Sequence, residues 1–140
     1  MPRPPFRLRQ LDHVVLRALD PAALEDFYCR VLGCTVEKRQ EAIGLVQLRA
    51  GASLIDLVGI DSKLGRLGGA APGAEGHNVD HICLAVEGYD EAAIRAHLQA
   101  HGARVGESGS RYGAEGEGPS LYLYDPQGNM IELKGPPAQA

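Results

Sequence analysis

The feature that most constrains this chain is that it repeats itself. Leu11-Asp12-His13-Val14-Val15-Leu16 returns as Val79-Asp80-His81-Ile82-Cys83-Leu84, and Leu54-Ile55-Asp56-Leu57 returns as Met130-Ile131-Glu132-Leu133. Between these anchors each half carries apolar residues at helical spacing followed by a glycine. The first set is Leu24, Phe27, Tyr28, Val31 and Leu32 before Gly33; the second is Ile94, His97, Leu98 and His101 before Gly102. A glycine just past the last periodic residue is a helix stop. Asp20-Pro21 supplies a cap and a first-turn proline for the first helix, and Asp90 can open the second. Short β-patterned runs follow each helix: 35–38, 44–49 and 53–60 in the first half, 104–107, 121–124 and 130–134 in the second. The order strand, helix, three strands therefore occurs twice. The 140 residues are enough for one domain with a sizeable core, or for two very small modules that share one, and are read as a single domain. Its parts are a module at 9–60, a linker at 61–78 and a second module at 79–135.

The glycine- and alanine-rich stretch from Gly59 to Asn78 reads as a mobile connection, and the glycine-rich piece from Gly106 to Pro119 as a functional loop inside the second module. Alternation along strands decides which side chains share a face. Val14 and Leu16 turn to the helix, as do Ile82 and Leu84, Ile55 and Leu57, and Ile131 and Leu133; His13, His81, Asp56 and Glu132 turn away from it. Each module thus presents one histidine and one carboxylate on its helix-free face. If the two sheets curl toward each other, two imidazoles and two carboxylates meet. Carboxylates on a partly desolvated concave surface need a counter-charge. A divalent cation supplies it, and a His/His/carboxylate set with open positions suits Fe(II), Mn(II), Ni(II) or Zn(II).

Composition excludes other partners. Fourteen basic against eighteen acidic side chains, a net charge of -4 and no Lys/Arg cluster argue against nucleic acid and anionic membrane surfaces. No apolar run approaches the roughly 20 residues that span a bilayer, and the start, MPRPPFRLRQL, has no apolar stretch of a secretory signal. Three cysteines, Cys29, Cys34 and Cys83, lack metal-type spacing and read as reduced thiols, which points to the cytoplasm. His97 and His101 lie one helical turn apart but lack a third ligand, and read as surface residues of the second helix.

The two Asp-His strands, Phe27-Tyr28 with Val31-Leu32-Gly33, and above all the run Leu121-Tyr122-Leu123-Tyr124-Asp125-Pro126-Gln127-Gly128-Asn129-Met130-Ile131-Glu132-Leu133 resemble the vicinal oxygen chelate superfamily. That family includes glyoxalase I, fosfomycin resistance proteins, extradiol dioxygenases and bleomycin resistance proteins. The resemblance implies an α+β fold of two βαβββ modules forming a curved mixed-sheet cup with helices on the outer face, usually in a homodimer. It implies one divalent metal held by His13, His81 and Glu132. Asp56 matches the family's fourth carboxylate but is one methylene shorter than the glutamate found there. The implied chemistry is that of a glyoxalase-like lyase or isomerase, with Glu132 and Asp56 catalytic and a small oxygenated substrate chelated to the metal, and with glutathione as co-substrate in the glyoxalase I case. An Fe(II) extradiol dioxygenase, a fosfomycin-type thiol transferase and a non-enzymic binding protein share the same scaffold. Tyr122, Tyr124 and Arg111 are the candidate substrate contacts: the tyrosines by alternation onto the ligand face, the arginine as an anion clamp from the glycine-rich loop.

Overall fold

The computed structural model describes residues 4–77 and 79–137; Asn78, the last residue of the expected linker, and the two termini at 1–3 and 138–140 lie outside the described residues. The chain forms two four-stranded mixed sheets. The first contains β1 (His13–Ala18), β2 (Thr35–Gln40), β3 (Leu45–Ala50) and β4 (Ser53–Gly59), in the order β1-β4-β3-β2. The second contains β5 (Ile82–Ala85), β6 (Arg104–Gly113), β7 (Gly116–Tyr124) and β8 (Met130–Lys134), in the order β5-β8-β7-β6. In each sheet the first strand lies parallel to the last, with Val15 opposite Asp56 and Cys83 opposite Glu132. The duplication seen in the sequence is thus a duplication of register.

Each parallel pair is joined by a crossover that contains the helix. Helix α1 (Pro21–Asp26) starts at Asp20, whose carboxylate accepts from the Ala23 amide at 3.1 Å, and α2 (Glu91–Ala100) starts the same way at Asp90 with Ala93. Helix α1 runs on into a π turn, Phe27–Val31, before Gly33 ends it with φ +81°; Gly102 ends α2's segment with φ +68°. A left-handed residue at those points would strain any side chain but glycine. The apolar faces of both helices and both sheets join in one core, which includes Leu24, Tyr28, Leu48, Ile55, Leu57, Leu98, Leu121, Leu123 and Ile131. The ligand-bearing faces point away from it.

Contacts between the modules run through the helices and one turn. Asp125, 4% exposed, opens the Asp125-Pro126-Gln127-Gly128-Asn129 turn and collects four hydrogen bonds. The backbone amides of Gln127 and Asn129 donate to Oδ1 at 2.9 Å each; Asn129 Nδ2 and the Tyr28 hydroxyl donate to Oδ2 at 2.7 and 2.8 Å. Gln127 then reaches β1, donating to the Arg17 carbonyl at 2.9 Å and accepting from the Leu19 amide at 2.8 Å. His97 Nε2, 2.8 Å from the Val31 carbonyl, ties α2 to the end of the first helix. So His97 is a link between modules rather than an idle surface residue.

Two expectations are corrected. The segment from Gly106 to Pro119 is a long hairpin of β6 and β7, which places Arg111 and Tyr112 on a strand rather than in a loop. Its glycines and serines have poor strand propensity, but β7 pairs with it on both sides of a bulge between Val105 and Ser108, and β6 is the sheet edge, where polar side chains are at home. The connection after β4 is not free either. The Arg17 guanidinium donates to the carbonyls of Gly65, Gly69 and Ala70, at 3.1, 2.6 and 2.9 Å, and holds a short 3-10 turn, Gly65–Gly68, against the first sheet.

Candidate metal centre

On β1 the face opposite the core carries His13, and on the adjacent β4 it carries Asp56, 3% exposed. His13 Nδ1 lies 2.8 Å from Asp12 Oδ2, and its Nε2 lies 4.0 Å from Asp56 Oδ2. The second module repeats this arrangement. His81, just before β5, has Nδ1 2.8 Å from Asp80 Oδ2 and Nε2 3.0 Å from Glu132 Oε1. Each imidazole is therefore held at one nitrogen by the aspartate that precedes it and offers the other nitrogen to a buried carboxylate. A carboxylate on the far nitrogen fixes the ring and raises its basicity, as it does for imidazoles that bind metals.

The carboxylates differ in their support. Glu132, 5% exposed, has Oε2 bonded by the Ser120 hydroxyl at 2.6 Å. Burial alone would push its carboxyl up. Hydrogen bonding from Ser120 and Tyr122, the charge of His81 and the Cys83 thiol outweigh that and hold it below the ordinary carboxylate value. Among the described residues Asp56 receives one hydrogen bond, from Gln47 Nε2 to Oδ2 at 3.2 Å, and its buried Oδ1 has no partner. Gln47 lies opposite Asp56 as Tyr122 lies opposite Glu132, so these two are counterparts across the repeat. His13 is pushed above its usual value, chiefly by the hydrogen bond to Asp12 and, against some desolvation, by the charges of Asp56 and Asp12.

The donor chemistry fits a divalent cation: imidazole nitrogens, ionised carboxylates and one orphaned buried oxygen that a cation would satisfy. The count in one copy does not. Among the described residues no three of His, Cys, Asp and Glu come together closely enough to hold an ion. His13 meets Asp56 and His81 meets Glu132, but the two pairs do not join within a single chain.

Around His81 the surface is concave. A pocket of about 240 Å³ is lined by Asp80, His81, Tyr124, Asn129 and Met130 among others, and one of about 290 Å³ by His81, Cys83, Tyr112, Glu132 and Lys134 among others. Tyr122 sets its ring edge-on to the His81 imidazole, with centroids 5.5 Å apart, and Tyr124 lies under the Arg104 guanidinium at 3.8 Å. Arg111 leans over the Tyr122 ring at 5.7 Å while donating to the Ser110 carbonyl at 3.0 Å. Cys83 is exposed, but desolvation and the neighbouring Glu132 push its thiol up to about 11, so it is a thiol and not a thiolate at neutral pH. Sequence reasoning missed Asp12, Asp80, Gln47, Ser120 and Lys134. The aspartates had a visible signal, since each immediately precedes its histidine in both copies. Ser120 and Lys134 had none, because their role depends on the β6–β7–β8 ladder.

Comparison with known proteins agrees with the architecture. The family model of the Glyoxalase/Bleomycin resistance protein/Dioxygenase superfamily matches residues 10–133. An integron cassette protein from the mobile metagenome of V. cholerae is similar in structure, with a TM-score of 0.71, 26% identity, and 93% of this chain and 97% of that chain covered. A virulence protein of Salmonella typhimurium superposes with a TM-score of 0.71 at 24% identity, covering 94% and 99% of the two chains. A lactoylglutathione lyase of Agrobacterium tumefaciens does so with a TM-score of 0.61 at 20% identity, covering 90% and 92%. Among the described residues no helix is long and apolar enough to cross a membrane.

Proposed function

This chain belongs to the Glyoxalase/Bleomycin resistance protein/Dioxygenase superfamily, and on that premise we propose that it is a divalent-metal-dependent enzyme of the glyoxalase type whose metal site is shared between two copies. His13 and Asp56 of one copy face His81 and Glu132 of the other, so that a symmetric pair of chains holds two ions. The observation that carries this reading is the repeated unit of aspartate, histidine and buried carboxylate, complete in each sheet yet two donors short of a site by itself. An isologous arrangement supplies the missing half twice over.

His13, His81, Glu132 and Asp56 would hold the ion, and its chemistry is to polarise two neighbouring oxygens of a small substrate and stabilise negative charge as it develops. The rest is done by the chain. Glu132, with one oxygen fixed by Ser120, is ionised at neutral pH and points its other oxygen at the site. Asp56, with an unengaged Oδ1, is the proton acceptor, moving a proton between adjacent carbons of the substrate. Tyr122 and Tyr124 border the entry, and Arg111 stands behind Tyr122. Asp56 as a proton acceptor favours a lyase or isomerase reading over that of a ring-cleaving dioxygenase.

Two inactive variants test both parts of the proposal. His13→Ala and His81→Ala each lose tight metal binding with the fold intact. When the two are unfolded and refolded together, a mixed pair has one undamaged site, so about a quarter of the sites should bind metal again. No recovery would refute the shared site, and full binding by either variant alone would refute the ligand assignment. Metal analysis of the native protein with an assay on methylglyoxal and glutathione tests the reaction; bound iron with oxygen consumption and no lyase activity would overturn it.

A further inference from the structure

The second sheet carries on its last strand an enclosed lysine where the first sheet has an aliphatic residue. Lys134 on β8 lies beside Ser120 of β7 and Ala85 of β5. Its counterpart in the first sheet is Val58, which lies beside Leu45 and Arg17 and is 4% exposed. The first sheet instead has its cation at this rung on β1, where the carbonyls of Gly65, Gly69 and Ala70 take up the Arg17 guanidinium. Lys134 is enclosed, 8% exposed, and its Nζ has no hydrogen-bond partner among the described residues. Neither Glu132, whose oxygens take His81 and Ser120, nor Glu115 on the same pocket wall hydrogen-bonds to it. An enclosed ammonium without a partner costs stability. The first sheet avoids that cost, because its cation has carbonyl partners.

The hairpin makes room for this ammonium. A Cβ on Gly113 would stand 2.6 Å from Lys134 Cε, and one on Gly118 would stand 3.0 Å from Nζ. The absence of side chains at both positions leaves the space in which the lysine lies. The same lysine forms part of the wall of the 290 Å³ pocket that also contains His81 and Glu132.

We propose that Lys134 binds an anionic group, a carboxylate or a phosphoryl group, on the substrate whose oxygens lie at His81 and Glu132. The inference rests on the site proposed above and narrows it. Side chains two residues apart on one strand are about 6.7 Å apart, so the anionic group stands some three or four bonds from the reacting oxygens. The substrate is then a short oxygenated acid rather than an uncharged dicarbonyl.

The test uses chelator-treated protein, with inorganic phosphate and acetate as probes at fixed ionic strength. Isothermal titration compares the full chain with Lys134→Met, and thermal unfolding compares the two without ligand. At least one probe binds the unaltered chain and binds Lys134→Met at least about tenfold more weakly, and which probe it is separates carboxylate from phosphoryl recognition. The ligand-free variant unfolds at a higher temperature, because an unpaired charge has left the interior. Absence of binding to the unaltered chain, a difference smaller than tenfold, or a variant with a lower midpoint overturns the proposal. The measurement is made without metal, so its outcome is independent of metal content: failure of the metal reading leaves anion binding intact, and failure of the anion reading leaves metal content unchanged.

Discussion

At the scale of residues, the aspartates that precede the two histidines govern how the site responds to pH. Neutral imidazole binds metal, and a histidine pushed above its usual value must lose its proton at a correspondingly higher pH. Metal affinity should therefore decline on acidification from above pH 6.5, and Asp12→Asn should move that decline to lower pH; titrations across pH 5–9 read both. Asp80→Asn should weaken metal binding by about 10–100-fold through loss of ring orientation, measured by competition with a chromophoric chelator. In the metal-free protein the signs are opposite for the two partners. The raised value of His13 means that its contact with Asp12 stabilises below the unfolded histidine value and fades as pH rises through the folded one. The lowered value of Glu132 means that its contribution is present above the ordinary carboxylate value and is lost as pH falls through the folded one. Alternation and repetition put His13, Asp56, His81 and Glu132 on one kind of face, where the structure holds them as two separate pairs. Their supporting partners were not legible in the sequence, since a serine or a glutamine on the next strand becomes relevant only once the register is known.

At the scale of elements, the turn between β7 and β8 does more than reverse the chain. Asp125 gathers bonds from its own turn and from Tyr28, so a buried carboxylate fastens the first helix to the second sheet. Tyr28→Phe removes one hydrogen bond to a charged group and should cost about 1.5–3 kcal/mol, while Asp125→Ala, which strands several donors at once, should cost more; urea denaturation followed by circular dichroism measures both. The helix starts and stops were legible because aspartate and glycine act locally at helix ends. The extent of β6 was not. Its Gly106-to-Gly113 portion has the composition of a loop and becomes a strand because β7 lies beside it, a tertiary effect that local propensity does not carry. The same blind spot hid Arg17's three bonds to the segment after β4, which link residues about fifty positions apart.

At the scale of the whole molecule, duplication sets the architecture, and each module holds its own ligand pair. With each ligand pair a half-site, metal affinity should depend on protein concentration: dilution below the dissociation constant of the paired state should release metal, which sedimentation velocity with metal detection would show. Affinity unchanged by dilution into a monomeric regime would mean that one chain suffices. The number of modules and their internal order were legible from the repeat. Their mutual orientation was not, because nothing local in a strand says which surface its neighbour will cover. The Asp125 turn has a consequence for how such chains are recognised. Its aspartate and glutamine join one half of the molecule to the other, while its asparagine lines the pocket beside His81. A search keyed to that run will collect proteins that are assembled alike, whether or not they carry the dipeptides Asp12-His13 and Asp80-His81 on which the proposed metal site depends.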